Sequence, residues 1–159
     1  MARRKTVPAL ALAGAVLLLS SVTASDVIVR PPKFDYTMVT LPNGLQAVFL
    51  EDHSTPIVHL SLWYHVGSKN EKPGRTGFAH LFEHLMFKGS KNVRPDQHPS
   101  WITSVGGQAN AFTDEDATVY WETVPAQYLP LVLWLEADRM GSLEVSEDKF
   151  KNEREVVKE

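Results

Sequence analysis

The chain contains no cysteine in its 159 residues. Disulfides, thiolate metal ligands and cysteine nucleophiles are therefore excluded. Any tightly held metal must be gripped by His, Asp or Glu, a donor set that suits zinc or a similar borderline cation. Surplus charge is also lacking: 16 Lys+Arg against 19 Asp+Glu leave a formal net charge of −3. With no Lys/Arg stripe interleaved with aromatics, nothing points to nucleic acid as a partner. Internal repeats and low-complexity tracts are missing too. What remains is ordinary: 43% hydrophobic and 22% charged residues, enough for a real core at a one-domain length.

The first 24 residues differ from the rest. A basic start, "MARRK", leads into the apolar run "ALALAGAVLLL" and then the small residues of "SSVTAS". Val22 and Ala24 fit the −3 and −1 positions of a cleavage site, so 1–24 reads as a secretory signal peptide. The alternative is an uncleaved anchor, but a run of about 11 to 14 residues falls short of the roughly 20 that span a bilayer. Without a cysteine after the run, a lipoprotein anchor is excluded. The expectation is an exported chain, periplasmic or secreted, with no membrane partner once the signal is removed. Residues 25–36 form an extended lead-in in which Pro31 and Pro32 block a helix.

From residue 37 the pattern alternates between strand and helix signals. "TMVTLPNGLQAVFLEDH" reads as a hairpin about its Asn-Gly turn, and "PIVHLSLWYHVGS" as a third strand. Phe78, Leu81, Phe82, Leu85 and Met86 recur at helical spacing, with Gly89 as the stop. A loop and short helix should end at Gly106-Gly107. "QANAFTDEDATVYWETV" then reads as two strands around "DED". "PAQYLPLVLWLEADRMGS" reads as a helix with Pro125 at an early position, Pro130 tolerable in the first turn or two, and Gly141 as its stop. Ser146 is the expected N-cap of a last helix, "SEDKFKNEREVVKE". Strands and helices are partly segregated, which is an α+β class: antiparallel sheet packed by helices.

The chemistry sits in "HLFEH". Residues i and i+4 of a helix lie about 40° apart around its axis, one turn up. His80 and His84 therefore point the same way and can grip one ion at about 2.0–2.1 Å, with Glu83 on the edge of that face. A metal lowers a bound water's pKa to about 7, and Glu83 is placed to act as general base and then general acid. The bland alternative is a surface helix that happens to carry two histidines. The other four histidines, His53, His59, His65 and His98, are given structural roles, and Asp138 and Arg139 read as a helix-end charge pair.

The spacing H-x-x-E-H resembles the signature of the inverzincins, the pitrilysin-like, insulinase-family (M16) zinc peptidases. "GFAHLFEHLMFKGSKN", "GGQANAFTDEDATVYWETV", "LWLEADRM" and "NEREVVKE" resemble that family's active-site helix, following strand pair, next helix and third-ligand segment, in order, over about residues 35–159. The resemblance implies a LuxS/MPP-like metallohydrolase half-domain over 37–159. It implies a zinc endopeptidase acting on peptides or unfolded proteins through a metal-bound water, with zinc on His80 and His84 and Glu83 as base. It also implies that a peptide pairs with the "NAFT" strand, which makes Asn110, Ala111 and Phe112 candidate substrate contacts; ordinary strand packing is the other account of them. A second M16-like half, on the same chain or a partner subunit, would close the cleft. A non-catalytic peptide-binding subunit of the same fold is the rival reading.

The resemblance also places a third ligand, a glutamate about 76 residues after the second histidine and seven after an earlier glutamate, here Glu153. Both counts lead to position 160, one past Glu159. The expectation is a domain truncated at its C-terminus. Glu159 is the nearest substitute, although it points about 100° away around the helix. Glu153 itself would support the metal site from behind, or else be a solvated helix charge.

Overall fold

A computed structural model of the chain describes residues 33–158. The signal-peptide segment, lead-in residues 25–32 and Glu159 lie outside the described residues, while 33–36 carry no regular structure. Backbone contacts divide the chain into two units, up to Leu50 and from Glu51 onward.

In the first unit, β1 (Thr37–Thr40) pairs antiparallel with β2 (Gln46–Phe49), Thr37 opposite Phe49 and Thr40 opposite Gln46. The expected Asn-Gly turn is present. The Gly44 N–H donates to the Leu41 carbonyl at 2.9 Å, and Gly44 takes φ 89°, a left-handed conformation open to glycine at no steric cost.

The second unit runs β3 (Ile57–Tyr64), α1 (Phe78–Leu85), α2 (Gln97–Ser104), β4 (Gln108–Thr113), β5 (Thr118–Pro125), α3 (Leu129–Ser142) and α4 (Glu147–Lys158). All pairings are antiparallel, in the order β3–β5–β4, so β5 is central and β4 keeps one edge unpaired among the described residues. Side chains alternate across such a sheet. Val58 and Leu60 of β3, Val124 of β5 and Ala109 of β4 share one face with Tyr120 and Glu122. That face packs on Ile102 of α2 and on Val132 and Leu135 of α3, all buried. The opposite face carries Trp63 and Phe112, ring edge to ring face at 6.5 Å, and both remain substantially exposed. The result is an α+β half-domain with its helices gathered against one side of the sheet, as the segregated pattern implied. The separate β1–β2 ribbon means there are two antiparallel sheets instead of one.

Local chemistry explains the placement of α1. Its first-turn N–H groups have no helical partner, and Gly77, the residue before it, carries no side chain to cap them. Glu71 does so from the preceding loop, accepting from the Gly77 and Ala79 N–H groups at 2.8 Å each. Those two bonds hold the Glu71 carboxyl below its usual range. Gly89 ends the helix turn at φ 102°, where an added Cβ would lie 2.9 Å from the Val93 carbonyl oxygen. The β4–β5 tip is tied to the loop after β3 by Ser68 and Lys69 N–H groups donating to the Asp114 and Glu115 carbonyls at 3.0 Å. A Cβ on Gly67 would sit 2.5 Å from the Asp114 oxygen, so only glycine permits that approach.

Two helix expectations are corrected. Pro125 closes β5 opposite Ile57 instead of starting a helix; a strand end tolerates its missing N–H. A 3₁₀ turn, Ala126–Tyr128, intervenes, and Pro130 falls in the first turn of α3, as expected. Gly141 does not stop α3, which continues to Ser142, where the Ser142 hydroxyl donates back to the Asp138 carbonyl at 2.8 Å. Ser146 is the N-cap of α4: its Oγ accepts from the Lys149 N–H at 3.3 Å.

Candidate metal centre

One turn of α1 brings the Nε2 atoms of His80 and His84 to 3.1 Å from each other. A tetrahedral ion bound at about 2.0–2.1 Å holds its nitrogen ligands roughly 3.3 Å apart, so the pair fits zinc with little adjustment. The tautomers fit as well. Nδ1 of His84 faces Oε2 of Glu153 at 3.3 Å, and a carboxylate can only accept. The His84 proton therefore belongs on Nδ1, which leaves the Nε2 lone pair for a metal. Glu153 is itself buried, and its other oxygen receives the Lys88 ammonium at 3.2 Å. Among the described residues no third imidazole or carboxylate groups with His80 and His84 within 4.8 Å. Glu159, the expected substitute for a third ligand, lies outside the described residues.

Glu83 points toward β4, where the Thr113 hydroxyl donates to its Oε2 at 2.5 Å. His80, Glu83, Ala111, Phe112 and Thr113 line an open cleft of about 500 Å³ between helix and strand. Of the three candidate substrate contacts, Ala111 sits opposite Tyr120 on the sheet face that α1 covers. Asn110 and Phe112 fall on the opposite face. What all three share is backbone: they form the edge strand that borders the cleft.

A second group of possible ligands was not singled out from the sequence. His98, Glu122 and Glu136 offer atoms within 4.8 Å of one another, all buried. Its centre is already filled by Arg139, whose guanidinium bonds both oxygens of Glu136, lies 3.3 Å from Glu122 Oε1 and donates to His98 Nδ1 at 3.2 Å. The guanidinium carbon also sits 4.4 Å over the Tyr120 ring. A cation held this tightly supplies the charge a metal would bring, so the cluster is a buried ion pair. Burial drives the His98 imidazole down to about 4. Burial, with the neighbouring Glu136 carboxyl, drives Glu122 up to about 9. The Arg139–Asp138 pairing expected from sequence is corrected accordingly: Asp138 turns instead to Ser90 and to Asn92 Nδ2, the latter at 2.6 Å.

Sequence reasoning also passed over Glu71, Thr113 and Lys88. Lys88 left a faint signal, being four residues after His84 and so in line with the histidine stripe. Glu71 left none, because its capping role depends on the fold of the intervening loop.

An α+β half-domain with an H-x-x-E-H helix beside a strand edge that is unpaired among the described residues is the combination that fold and site define. The chain belongs to the insulinase family, peptidase family M16, whose model matches residues 47–159. It is 41% identical over 122 residues to zinc protease PqqE of Helicobacter pylori, which covers 76% of the chain and 28% of that protein. A crystal structure of a protease from Helicobacter pylori superposes with a TM-score of 0.75 at 39% identity, over 78% of the chain and 30% of that one. Cytochrome b-c1 complex subunit 1 of Rattus norvegicus is 32% identical over 117 residues, 74% of the chain and 24% of the relative. The chain thus spans between 24% and 30% of these proteins.

Proposed function

We propose that this chain carries the catalytic helix of a zinc-dependent endopeptidase, exported by its N-terminal segment, that hydrolyses peptides or unfolded proteins. The observation that carries the reading is the convergence of His80 and His84 Nε2 at 3.1 Å beside Glu83, in a cleft bordered by a free strand edge. Zinc, when bound, supplies Lewis acidity that activates water near neutral pH and polarises a peptide carbonyl. His80 and His84 offer it two neutral nitrogens. Glu153 fixes the His84 tautomer from behind. A catalytic zinc takes three protein ligands; Glu159, outside the described residues, is a candidate for the third.

Glu83 takes the proton from the attacking water and delivers it to the leaving amine. Thr113 holds Oε2 of that carboxylate, which leaves Oε1 to carry the proton. The substrate backbone pairs with Asn110–Phe112 along the open edge of β4, because an unpaired strand recognises extended chain irrespective of its sequence. A second M16-like half, on the same chain or on a partner subunit, closes over it.

A non-catalytic partner subunit is the alternative, favoured by the similarity to a cytochrome b-c1 complex subunit. Zinc content and cleavage of a quenched peptide by the complete gene product, with and without Glu83→Gln, decide between them. Stoichiometric zinc in both proteins with a 10²–10⁴-fold loss of turnover in the variant is expected. Zinc without glutamate-dependent cleavage would refute the peptidase reading.

A further inference from the structure

Lys88 follows His84 by four residues, one turn past the end of α1, on the stripe that begins with His80 and His84. Its ammonium reaches Glu153 Oε1 at 3.2 Å and Asp96 Oδ1 at 3.5 Å. The Glu153 side chain is only 9% exposed, and its two oxygens face two different donors, Lys88 on one and His84 Nδ1 on the other. Lys88, Glu153 and His84 thus form one line of contacts that leaves α1, crosses to α4 and returns.

We infer that Lys88 is a positioning residue for the metal ligand His84, acting through Glu153. The inference rests on the proposed zinc reading and extends it to a residue that touches neither metal nor substrate. The physical reason is orientational. A carboxylate buried between two helices can rotate about its terminal bond. The imidazole N–H alone fixes one oxygen and leaves that rotation free. A second donor on the other oxygen locks the carboxylate plane, and with it the acceptor that His84 Nδ1–H requires. The same bond ties α4 to α1, so it also sets where the later part of α4 stands relative to the histidines. Outer partners of metal-bound histidines commonly govern ring orientation and metal affinity in this way.

The test uses the complete gene product with Lys88→Met, Lys88→Arg, Glu153→Ala and the Lys88→Met/Glu153→Ala double variant. Zinc affinity is read by competition with a chromophoric chelator. The His84 tautomer is read in metal-free protein by ¹⁵N correlation of the ring nitrogens, with thermal unfolding as the control for folding. Lys88→Met should weaken zinc binding about 10–100-fold and convert a clean Nδ1–H tautomer of His84 into a mixture, while Lys88→Arg restores both. In the Glu153→Ala background, Lys88→Met should cost little more, because residues acting through one another are not additive. Should Lys88→Met fail to fold, Lys88→Leu, which likewise has no donor, carries the same comparison.

Unchanged zinc affinity and tautomer in Lys88→Met, or full additivity with Glu153→Ala, would overturn the inference. Failure of the wild type to bind zinc would instead sink the underlying reading, and the tautomer measurement would still decide the role of Lys88.

Discussion

Replacing Glu122 by glutamine should abolish most of the loss of stability that the protein suffers in mild alkali. Glu122 lies on the central strand with 1% exposure, and its Oε2 has no hydrogen-bond partner. The single guanidinium of Arg139 is shared between it and Glu136; His98 Nε2 lies 3.5 Å from Glu122 Oε1, and Tyr64 and Tyr120 are titratable groups near Arg139 and Glu136. The folded protein therefore keeps Glu122 protonated up to about 9, whereas the unfolded chain releases that proton near 4.5. Between those values the native state holds one proton more than the unfolded state, so stability falls as pH rises, tenfold in the folding equilibrium per pH unit.

His98 works the other way. Its folded value of about 4 against 6.5 unfolded means that the unfolded state binds the extra proton in that interval. Its stabilising contribution is complete above 6.5 and is lost as pH drops through about 4. From about pH 4.5 to 6.5 the two slopes cancel, and above 6.5 only the Glu122 slope remains. Over two pH units, from about 6.5 to 8.5, the wild type should lose roughly 3 kcal/mol from this cluster. Glu122→Gln keeps the volume but has no proton to lose. Urea unfolding followed by circular dichroism at half-unit pH steps measures the difference. Parallel profiles for the two proteins above pH 6.5 would refute the assignment of the neutral form to Glu122.

Other outcomes follow from single contacts. Ile102, at 0% exposure in the core formed with Val124, Val132 and Leu135, should cost about 2–5 kcal/mol on Ile102→Ala, read as a shift of urea midpoint with unchanged slope. Ser146→Ala removes the cap on α4 and should cost about 1 kcal/mol, detectable in the same assay. Thr113→Val deletes the donor to Glu83 while keeping shape; turnover of a quenched peptide should drop with zinc content unchanged, and equal turnover would remove Thr113 from the site.

Elements whose signal is local were legible before the structure. Alternating apolar residues around "PNG" and "DED" marked the strand pairs, and the i, i+4 spacing marked the shared helix face of His80 and His84, because neighbours in sequence are there neighbours in space. The rest depended on distant partners. Glu71 caps α1 across a loop, and Thr113 reaches Glu83 from another element. Arg139 was read as bonding its sequence neighbour Asp138, yet successive helix residues point about 100° apart. Packing of α3 on the sheet turned Arg139 inward to Glu122 and His98 and left Asp138 to Ser90 and Asn92. Which side of α3 would be buried was not encoded in its own residues, since Leu133 and Trp134 remain exposed while Glu136 and Arg139 are buried.

The edge of β4, unpaired among the described residues, bears on how the protein behaves in concentrated solution. Its six residues, "QANAFT", include no charge and no proline, the features by which edge strands commonly refuse unwanted neighbours. A backbone edge cannot tell a substrate from another copy of itself. Two copies laid side by side in parallel would bring their Asp114–Glu115 tips together and repel. Laid head to tail, the tips stand at opposite ends and nothing on the strand objects. An edge of this composition therefore makes antiparallel self-association the expected failure whenever nothing covers it.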